Sequence, residues 1–459
     1  MTMAPPTVMW FRRDLRLADN LALNAAAAAS AGEVVPLYVI DPRLFARAGA
    51  PRRAFLVASL RALGASMGKQ LVVRHGDPVA IVDAVAAEVG AAEVFAAHDF
   101  GPYGRRRDAA VAERLSAAGH VLRLVGSNYA VAPGRVRKDD GTPYAVFTPF
   151  AKVWERVGWD APSAAPSVLW RGDPRVPCEG YPTVPDLAAE LPAAGEIAAW
   201  DRLHQFLDRG GAHGYAEQRD RPGVDGTSRL SPYLRWGALH PRQVLAELGD
   251  EAGHRAMRGE LAWREFYADV LFHRPDTATG NLQRAMDGIE LDGDDTASTE
   301  RYAAWCEGRT GYPIVDAGMR QLLATGWMHN RVRMIVASFL VKDLHLPWTW
   351  GARHFMDHLV DGDVASNSHG WQWVAGTGTD AAPYFRVFNP VSQGQRFDPE
   401  GAYVRRWVPE LAELAVTVIH APWTSRRGPP LGYPPPIVDH ATERQEALRR
   451  YGALRASSR

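Results

Sequence analysis

Over the first 130 residues the apolar positions change period repeatedly. Short β-branched runs at Val8 to Phe11, Val34 to Ile40, Leu71 to His75, Glu93 to Ala97 and Val121 to Val125 alternate with Ala- and Leu-rich segments of helical spacing, such as Arg52 to Met67 and Pro78 to Val89. Strands separated by helix-length amphipathic segments predict βαβ units and a doubly wound, Rossmann-like parallel sheet. Ligands on such sheets sit at the carboxyl ends of the strands. The loops Trp10 to Asn20, Asp41 to Arg53 and His98 to Arg107 fall there, and all carry Arg. Residues 131–193 lose the alternation and are rich in Pro and Gly, which predicts a long surface linker, although TPYAVFTPFAKVWERVGW within it is aromatic enough to pack. From residue 194 to 459 the apolar spacing is helical in almost every window, which predicts an all-α domain. The expected organisation is therefore an α/β domain over 1–130, a linker over 131–193 and a helical domain over 194–459.

Composition narrows the function classes. Formal net charge is zero, so no global field announces nucleic acid, but 48 of the 52 basic residues are Arg and only Lys69, Lys138, Lys152 and Lys342 are Lys. Arg suits planar contact with phosphate. The two cysteines, Cys178 and Cys306, exclude a four-Cys cluster and a disulfide framework. The start, MTMAPPTVMWFRRDLRL, lacks an apolar signal core, and no run reaches membrane-spanning length. A soluble, monomeric, cytoplasmic protein without a membrane partner is the expectation.

Eleven of the fifteen Trp residues lie from Trp200 onward, and the densest chemistry is at Asp361 to Pro390, DGDVASNSHGWQWVAGTGTDAAPYFRVFNP. If Ala365 to Val374 is helical, Asn367 and Trp371 share a face, whereas Trp373 is rotated from Trp371 by about 200°. The two indoles then point to different sides. In ELAWREFY, the residues Glu260, Trp263, Arg264 and Tyr267 share one helix face, as do Asn330, Arg333 and Met334 in MHNRVRM, while Arg331 points elsewhere. An Asn, an Arg and a Met converging on one face make a poor core and suit a pocket for a polar aromatic ligand. The hydroxyls of GTSRLSPYLRWG, at Thr227, Ser228 and Ser231, stand at an apparent helix start, a natural anion site. GTGTD follows a helix and lacks a third Gly, which rejects a dinucleotide fingerprint. His354 and His358 lack an HExxH carboxylate and read as ordinary helix histidines, so no metal is expected.

With WFRRDLRLADNLAL, TSRLSPYLRWG, ELAWREFY, TGYPIVDAGMRQLLATGWMHNRVRM and the DGD to FNP stretch, the chain resembles the DNA photolyase and cryptochrome family over about residues 7 to 430, and within it the class I cyclobutane pyrimidine dimer photolyases. The resemblance implies an N-terminal antenna domain and a helical domain holding FAD. It implies that Thr227, Ser228, Leu230 and Ser231 meet the FAD phosphates with Tyr215 nearby, and that Arg264 and Asn330 also reach the cofactor. Asn367 would face flavin N5, Asp363 would accept from the ring edge, and Asp361 would pair with Arg333. It implies DNA containing pyrimidine dimers as partner. Trp263 and Trp373 would stack on a flipped dimer, Glu260 and Asn330 would bond its edges, Met334 would pack against it, and Arg219 and Arg331 would sit at phosphates. Photolyases are among the enzymes that take their target out of the duplex. Met334, where (6-4) photolyases carry His, the retained Trp373 and Asn367, and the absence of a regulatory tail after a helix at Thr442 to Tyr451 favour repair over the alternatives, a (6-4) photolyase or a cryptochrome light sensor.

Two further expectations come from the resemblance. The loop AHDFGPYGRRRD is similar to the form found with 8-hydroxy-5-deazaflavin, with Arg52, Asp99, Tyr103 and Gly104 as antenna residues; methenyltetrahydrofolate, or no antenna, is the alternative. For flavin photoreduction, Trp371 and Trp348 match the first two members of a three-Trp electron relay, but the distal position, ten residues before Trp305, is Asp295. Either the relay ends on Trp350, Tyr302 or Trp305, or photoreduction is inefficient.

Overall fold

A computed structural model of the chain describes residues 5–457 apart from 173–175, 185, 294, 381–385 and 427. The AAPYF part of the Asp361 to Pro390 stretch thus lies outside the described residues. Two compact units form: Met1–Asp186, Pro192–Ala212 and Ser228–Pro275 in the first, and Leu187–Leu191, His213–Thr227 and Asp276–Arg459 in the second.

The first unit carries the expected parallel sheet. Its strands are β1 (Thr7–Phe11), β2 (Glu33–Ile40), β3 (Val72–His75), β4 (Glu93–Ala96) and β5 (Val121–Leu124), in the order β3-β2-β1-β4-β5. Val8 stands opposite Val35 on one side and Val94 on the other, which fixes β1 at the centre. Its five residues are all buried, as a strand covered on both faces must be. After β3 the chain crosses to the far side of β1 to start β4, so the crevice between the carboxyl ends of β1 and β4 is the topological switch point. Local signals set the helices: Pro78–Val89 starts with Asp77 accepting from Val79 N–H at 3.1 Å, has Pro at its first position and ends on left-handed Gly90.

The stretch expected to be a linker has more structure than its composition predicts. A sixth strand, β6 (Leu169–Trp170), adds to β2, and Phe147–Val157 is helical. Tertiary partners explain that helix: Phe150 packs on Phe266 at 5.1 Å, and Trp154 Nε1 donates to buried Glu265 at 2.5 Å. Glu265 also accepts from the backbone of Ala130 and Val131; burial pushes its carboxyl up to about 7 against the pull of these donors.

The second unit is helical. Around a core that includes Trp305, Phe339, Phe355 and Trp371 it packs helices Pro313–Thr325, Asn330–Ser338, Trp348–His358 and Val364–Ala375. Gly351 is needed for this approach, because a Cβ there would sit 2.1 Å from the Trp371 ring. A π-helical turn, Phe339–Asp343, extends Asn330–Ser338 and turns Lys342 inward, where its ammonium donates to Arg386 O at 2.9 Å and burial lowers its pKa to about 8. No described helix is long and apolar enough to cross a membrane.

Candidate active site

The helix Val364–Ala375 organises the candidate site residues of the helical unit. Asp363 caps it, accepting from Ser366 N–H at 3.2 Å, and left-handed Gly376 closes it, so the GTGTD run begins as a helix end. The two indoles diverge as the helical period requires: Trp371 is 2% exposed in the core, while Trp373 is half-buried. Asn367 Nδ2 donates to Ala352 O at 2.9 Å, which fixes the carboxamide plane and leaves its oxygen as an acceptor. Arg333 Nη2 donates to buried Asp361 Oδ2 at 2.8 Å, and Arg333 Nε to Met328 O.

Asn330 opens the helix Asn330–Ser338 and is exposed; Met334, one turn on, is half-buried. Arg331 is not a free cation. It forms a two-pronged pair with Asp220, at 3.2 and 2.7 Å, and lies 4.5 Å over the Phe397 ring. Arg219 lies 5.7 Å over Tyr215, which opens the short helix Tyr215–Gln218. Thr227 is half-buried.

The first unit carries candidate residues of its own. Helix Ala252–His273 carries Glu260, Trp263, Arg264 and Tyr267. Trp263 stacks on Phe147 at 3.7 Å and 8° and touches Tyr267 at 5.4 Å, so one face of its indole is already covered. Arg264 donates to Asn128 O and Leu234 O and lies 4.6 Å over Tyr129. Ser231 begins a six-residue helix, Ser231–Trp236, with Leu230 at its cap; Ser228 O accepts from Arg202 Nε at 2.7 Å. Between them Arg229 has φ of 52°, a left-handed conformation uncommon outside glycine.

At the switch point of the sheet, Arg12 pairs with Asp108 at 2.5 Å, and Arg12 and Arg107 lie 4.7 and 5.0 Å over Trp10. Asp99 accepts from Arg107 Nη2 at 3.2 Å and from Gly101 N–H. Burial disfavours the Asp99 charge, but Arg107, Arg12 and Arg13 outweigh it and hold the carboxyl below its ordinary value. Gly104 has no room for a side chain, since a Cβ would lie 2.1 Å from Asp99 Cγ. The Tyr103 hydroxyl donates to Asp41, and Arg52 is buried in helix Ala50–Ser66.

Residues 257–453 match the model for the FAD binding domain of DNA photolyase, and residues 7–167 match the DNA photolyase model. The chain is 42% identical to the deoxyribodipyrimidine photo-lyase of Escherichia coli, with 98% of each chain covered. The chain belongs to the DNA photolyase and cryptochrome family. Solved photolyase and cryptochrome structures share its fold. A bacterial class III photolyase from Agrobacterium tumefaciens is 38% identical with a TM-score of 0.89 over 99% of each chain. A Synechocystis cryptochrome is 30% identical with a TM-score of 0.89, covering 98% of this chain and all of the other.

As a photolyase-family FAD-binding domain, the helical unit presents a donor set that fits a flavin: an oriented neutral amide at Asn367, a guanidinium balanced by its own carboxylate at Arg333–Asp361, and a buried Trp371 indole N–H with no hydrogen-bond partner among the described residues. From Trp371 a run of rings leads outward. Trp371 meets Trp305 at 6.1 Å, Trp305 meets Tyr302 at 6.0 Å, and Tyr302 meets half-buried Trp350 at 5.1 Å. His354 lies 5.4 Å from Trp305; burial and the neighbouring His358 lower its pKa to about 3, so it adds no charge beside the indole. Asp295 is the cap of helix Thr296–Glu307, bonded to Ser298 N–H and Oγ. Trp348, 7% exposed, donates from Nε1 to Asn281 Oδ1 at 2.9 Å. Sequence reading had no signal for Asn281 or Asp220 and marked Phe147 only as part of an aromatic run; the partners of all three lie 67 or more residues away along the chain.

Proposed function

We propose that this protein repairs cyclobutane pyrimidine dimers in DNA in a light-driven reaction, acting as a cytoplasmic monomer. The observation that carries the reading is its 42% identity, over 98% of the chain, to a protein named deoxyribodipyrimidine photo-lyase. Bound FAD, in its reduced form, supplies the photoexcited electron donor; the chain's own residues bind, orient and balance charge. Tyr215, Thr227, Ser228, Leu230 and Ser231 hold the cofactor phosphates, and Arg264 and Asn330 assist. A neutral amide at Asn367 tolerates an anionic flavin, where a carboxylate would repel it. Asp363 accepts from the ring edge, and Arg333, already neutralised by Asp361, adds positive potential without a bare charge.

Toward the dimer, Glu260 and Asn330 bond base edges, Trp263 and Trp373 offer stacking faces and Met334 an apolar one. Arg219 and Arg331 serve the phosphates; Arg contacts of that kind give affinity without sequence reading. Arg331 must share its guanidinium between Asp220 and phosphate. Illumination of the reduced holoprotein with a thymine-dimer oligonucleotide is expected to restore thymines, with no restoration in the dark. A light sensor, the reading that the Synechocystis cryptochrome neighbour favours, would leave the dimer intact with FAD bound and reduced.

For the antenna we propose 8-hydroxy-5-deazaflavin at the loop carrying Asp99, Tyr103 and Gly104, with Arg52. Supporting it are the small Gly104 and the cationic, aromatic floor of Arg12, Arg107 and Trp10 at the switch point. Protein from a host that makes no deazaflavin is expected to carry FAD alone. Stoichiometric folate recovered from that protein would overturn the assignment.

A further inference from the structure

Helix Phe147–Val157 packs against helix Ala252–His273 and is fastened to it at three successive points. Near its end the Trp154 indole N–H donates to Glu265 at 2.5 Å, and Glu265 also accepts from the backbone N–H groups of Ala130 and Val131. At its middle Phe150 packs on Phe266 at 5.1 Å. At its first residue Phe147 meets Trp263. Trp154, Glu265, Phe150 and Phe266 are all buried, so the first two fastenings are core contacts.

The third is of another kind. Phe147 and Trp263 are both partly exposed, and their rings lie nearly parallel, at 8° with centroids 3.7 Å apart. Aromatic pairs prefer offset or edge-to-face arrangements with centroids about 4.5–7 Å apart, because their electron-rich faces repel. The other rings around Trp263 follow that preference: Phe266 meets it at 5.7 Å and 71°, and Tyr267 at 5.4 Å and 45°. The sandwich with Phe147 is therefore imposed by the anchored helix rather than by the attraction of the two rings. Its effect is on the indole plane. With a ring flat against one face, Trp263 cannot tilt about its side-chain bonds without striking Phe147, so the other face is held in one orientation.

We propose that Phe147 is a positioning residue for dimer recognition: it holds the Trp263 indole in the plane on which a base of the flipped dimer stacks, and the Trp154–Glu265 clamp keeps Phe147 in place. The inference rests on the reading of Trp263 as a stacking face for the dimer. Such preorganisation acts on affinity, since a side chain already held in its bound rotamer has less freedom to lose when the ligand arrives. Undamaged duplex, whose bases stay stacked, is held through its phosphates and does not use that face.

The test is dark binding of a thymine-dimer oligonucleotide and of its undamaged counterpart to the holoprotein. Flavin occupancy and repair per absorbed photon at saturating oligonucleotide are read on the same samples. Phe147→Leu, which keeps an apolar side chain but removes the ring, is expected to raise the Kd for the dimer about 3- to 10-fold, the range one aromatic contact supports. Affinity for undamaged DNA, flavin occupancy and saturated repair should not change. Phe147→Tyr, which keeps the ring, should restore tight binding. Trp154→Phe, which removes one donor to Glu265, should weaken dimer binding with the same selectivity, and reads the same role if Phe147→Leu does not fold. In a protein carrying Trp263→Ala, Phe147→Leu should cost nothing further, since the two side chains act as a unit. Unchanged dimer affinity in Phe147→Leu, a loss that falls equally on undamaged DNA and flavin, or no recovery in Phe147→Tyr overturns the proposal. Trp263→Ala separates the two readings. If it leaves dimer affinity at the wild-type value, the stacking reading falls and the role of Phe147 with it; if it weakens dimer binding and Phe147→Leu does not, only the role of Phe147 falls.

Discussion

Replacing Glu260 by Ala is expected to lower light-driven dimer repair by about 10- to 100-fold while FAD occupancy stays at the wild-type level. Glu260 lies on helix Ala252–His273, three residues before Trp263 and therefore on the same face. A carboxylate that accepts from a base N–H contributes through a charge-assisted hydrogen bond of about 1.5–3 kcal/mol, and 1.4 kcal/mol is about tenfold. In the proposed contact, removing it leaves a base donor unpaired, so the loss would fall on the dimer complex. Glu260→Gln, which keeps an acceptor without the charge, should recover part of the activity. Repair yield per absorbed photon and the flavin-to-protein absorbance ratio are the measurements. Equal loss of FAD and repair would show that Glu260 belongs to the cofactor site.

Trp371→Phe is expected to abolish light-driven reduction of oxidised FAD, yet leave repair by chemically reduced protein within about twofold of wild type. Phe keeps an apolar aromatic between Trp305 and Phe355, at 6.1 and 5.0 Å from the present ring, but is not oxidised at accessible potentials. The indole N–H has no hydrogen-bond partner among the described residues, so the structural cost within the protein is the smaller volume, about 1–3 kcal/mol. In the proposed repair cycle the electron returns from the dimer to the flavin, so repair would not use the relay. Trp348→Phe should give the same split. If it left photoreduction at full rate, the electron would be entering along the ring path Trp350, Tyr302 and Trp305 instead. Transient absorption, which distinguishes Trp from Tyr radicals, reads which ring holds the oxidising equivalent.

The residues around Asp361 show how far local signals reach. Helical spacing alone separated Trp371 from Trp373, and in the structure the first is core and the second half-buried. The same period placed Glu260 and Trp263 on one face, and the β-branched runs located five strands to within about two residues. These features depend on neighbours a few positions apart, which is what a sequence displays. Within the stretch read as a linker, the aromatic segment expected to pack does so as a helix, Phe147–Val157, whose Phe150 and Trp154 are received by Phe266 and Glu265. Asp295 looked like part of a loop, and it is a helix cap, a role the following TAST run does signal.

By itself, then, the sequence determined the alternation of strands and helices, the helical faces of Glu260, Asn330 and Asn367, and, through its motifs, the family. Tertiary structure alone decided that Arg331 is held by Asp220, that one face of Trp263 is covered by Phe147, that Trp305, Tyr302 and Trp350 continue the ring path from Trp371, and that Trp348 borders a cavity. The physical reason is the range of the interactions. Periodicity and capping act within a turn or two of one element, whereas these pairings join segments dozens of residues apart, whose meeting depends on how whole helices pack.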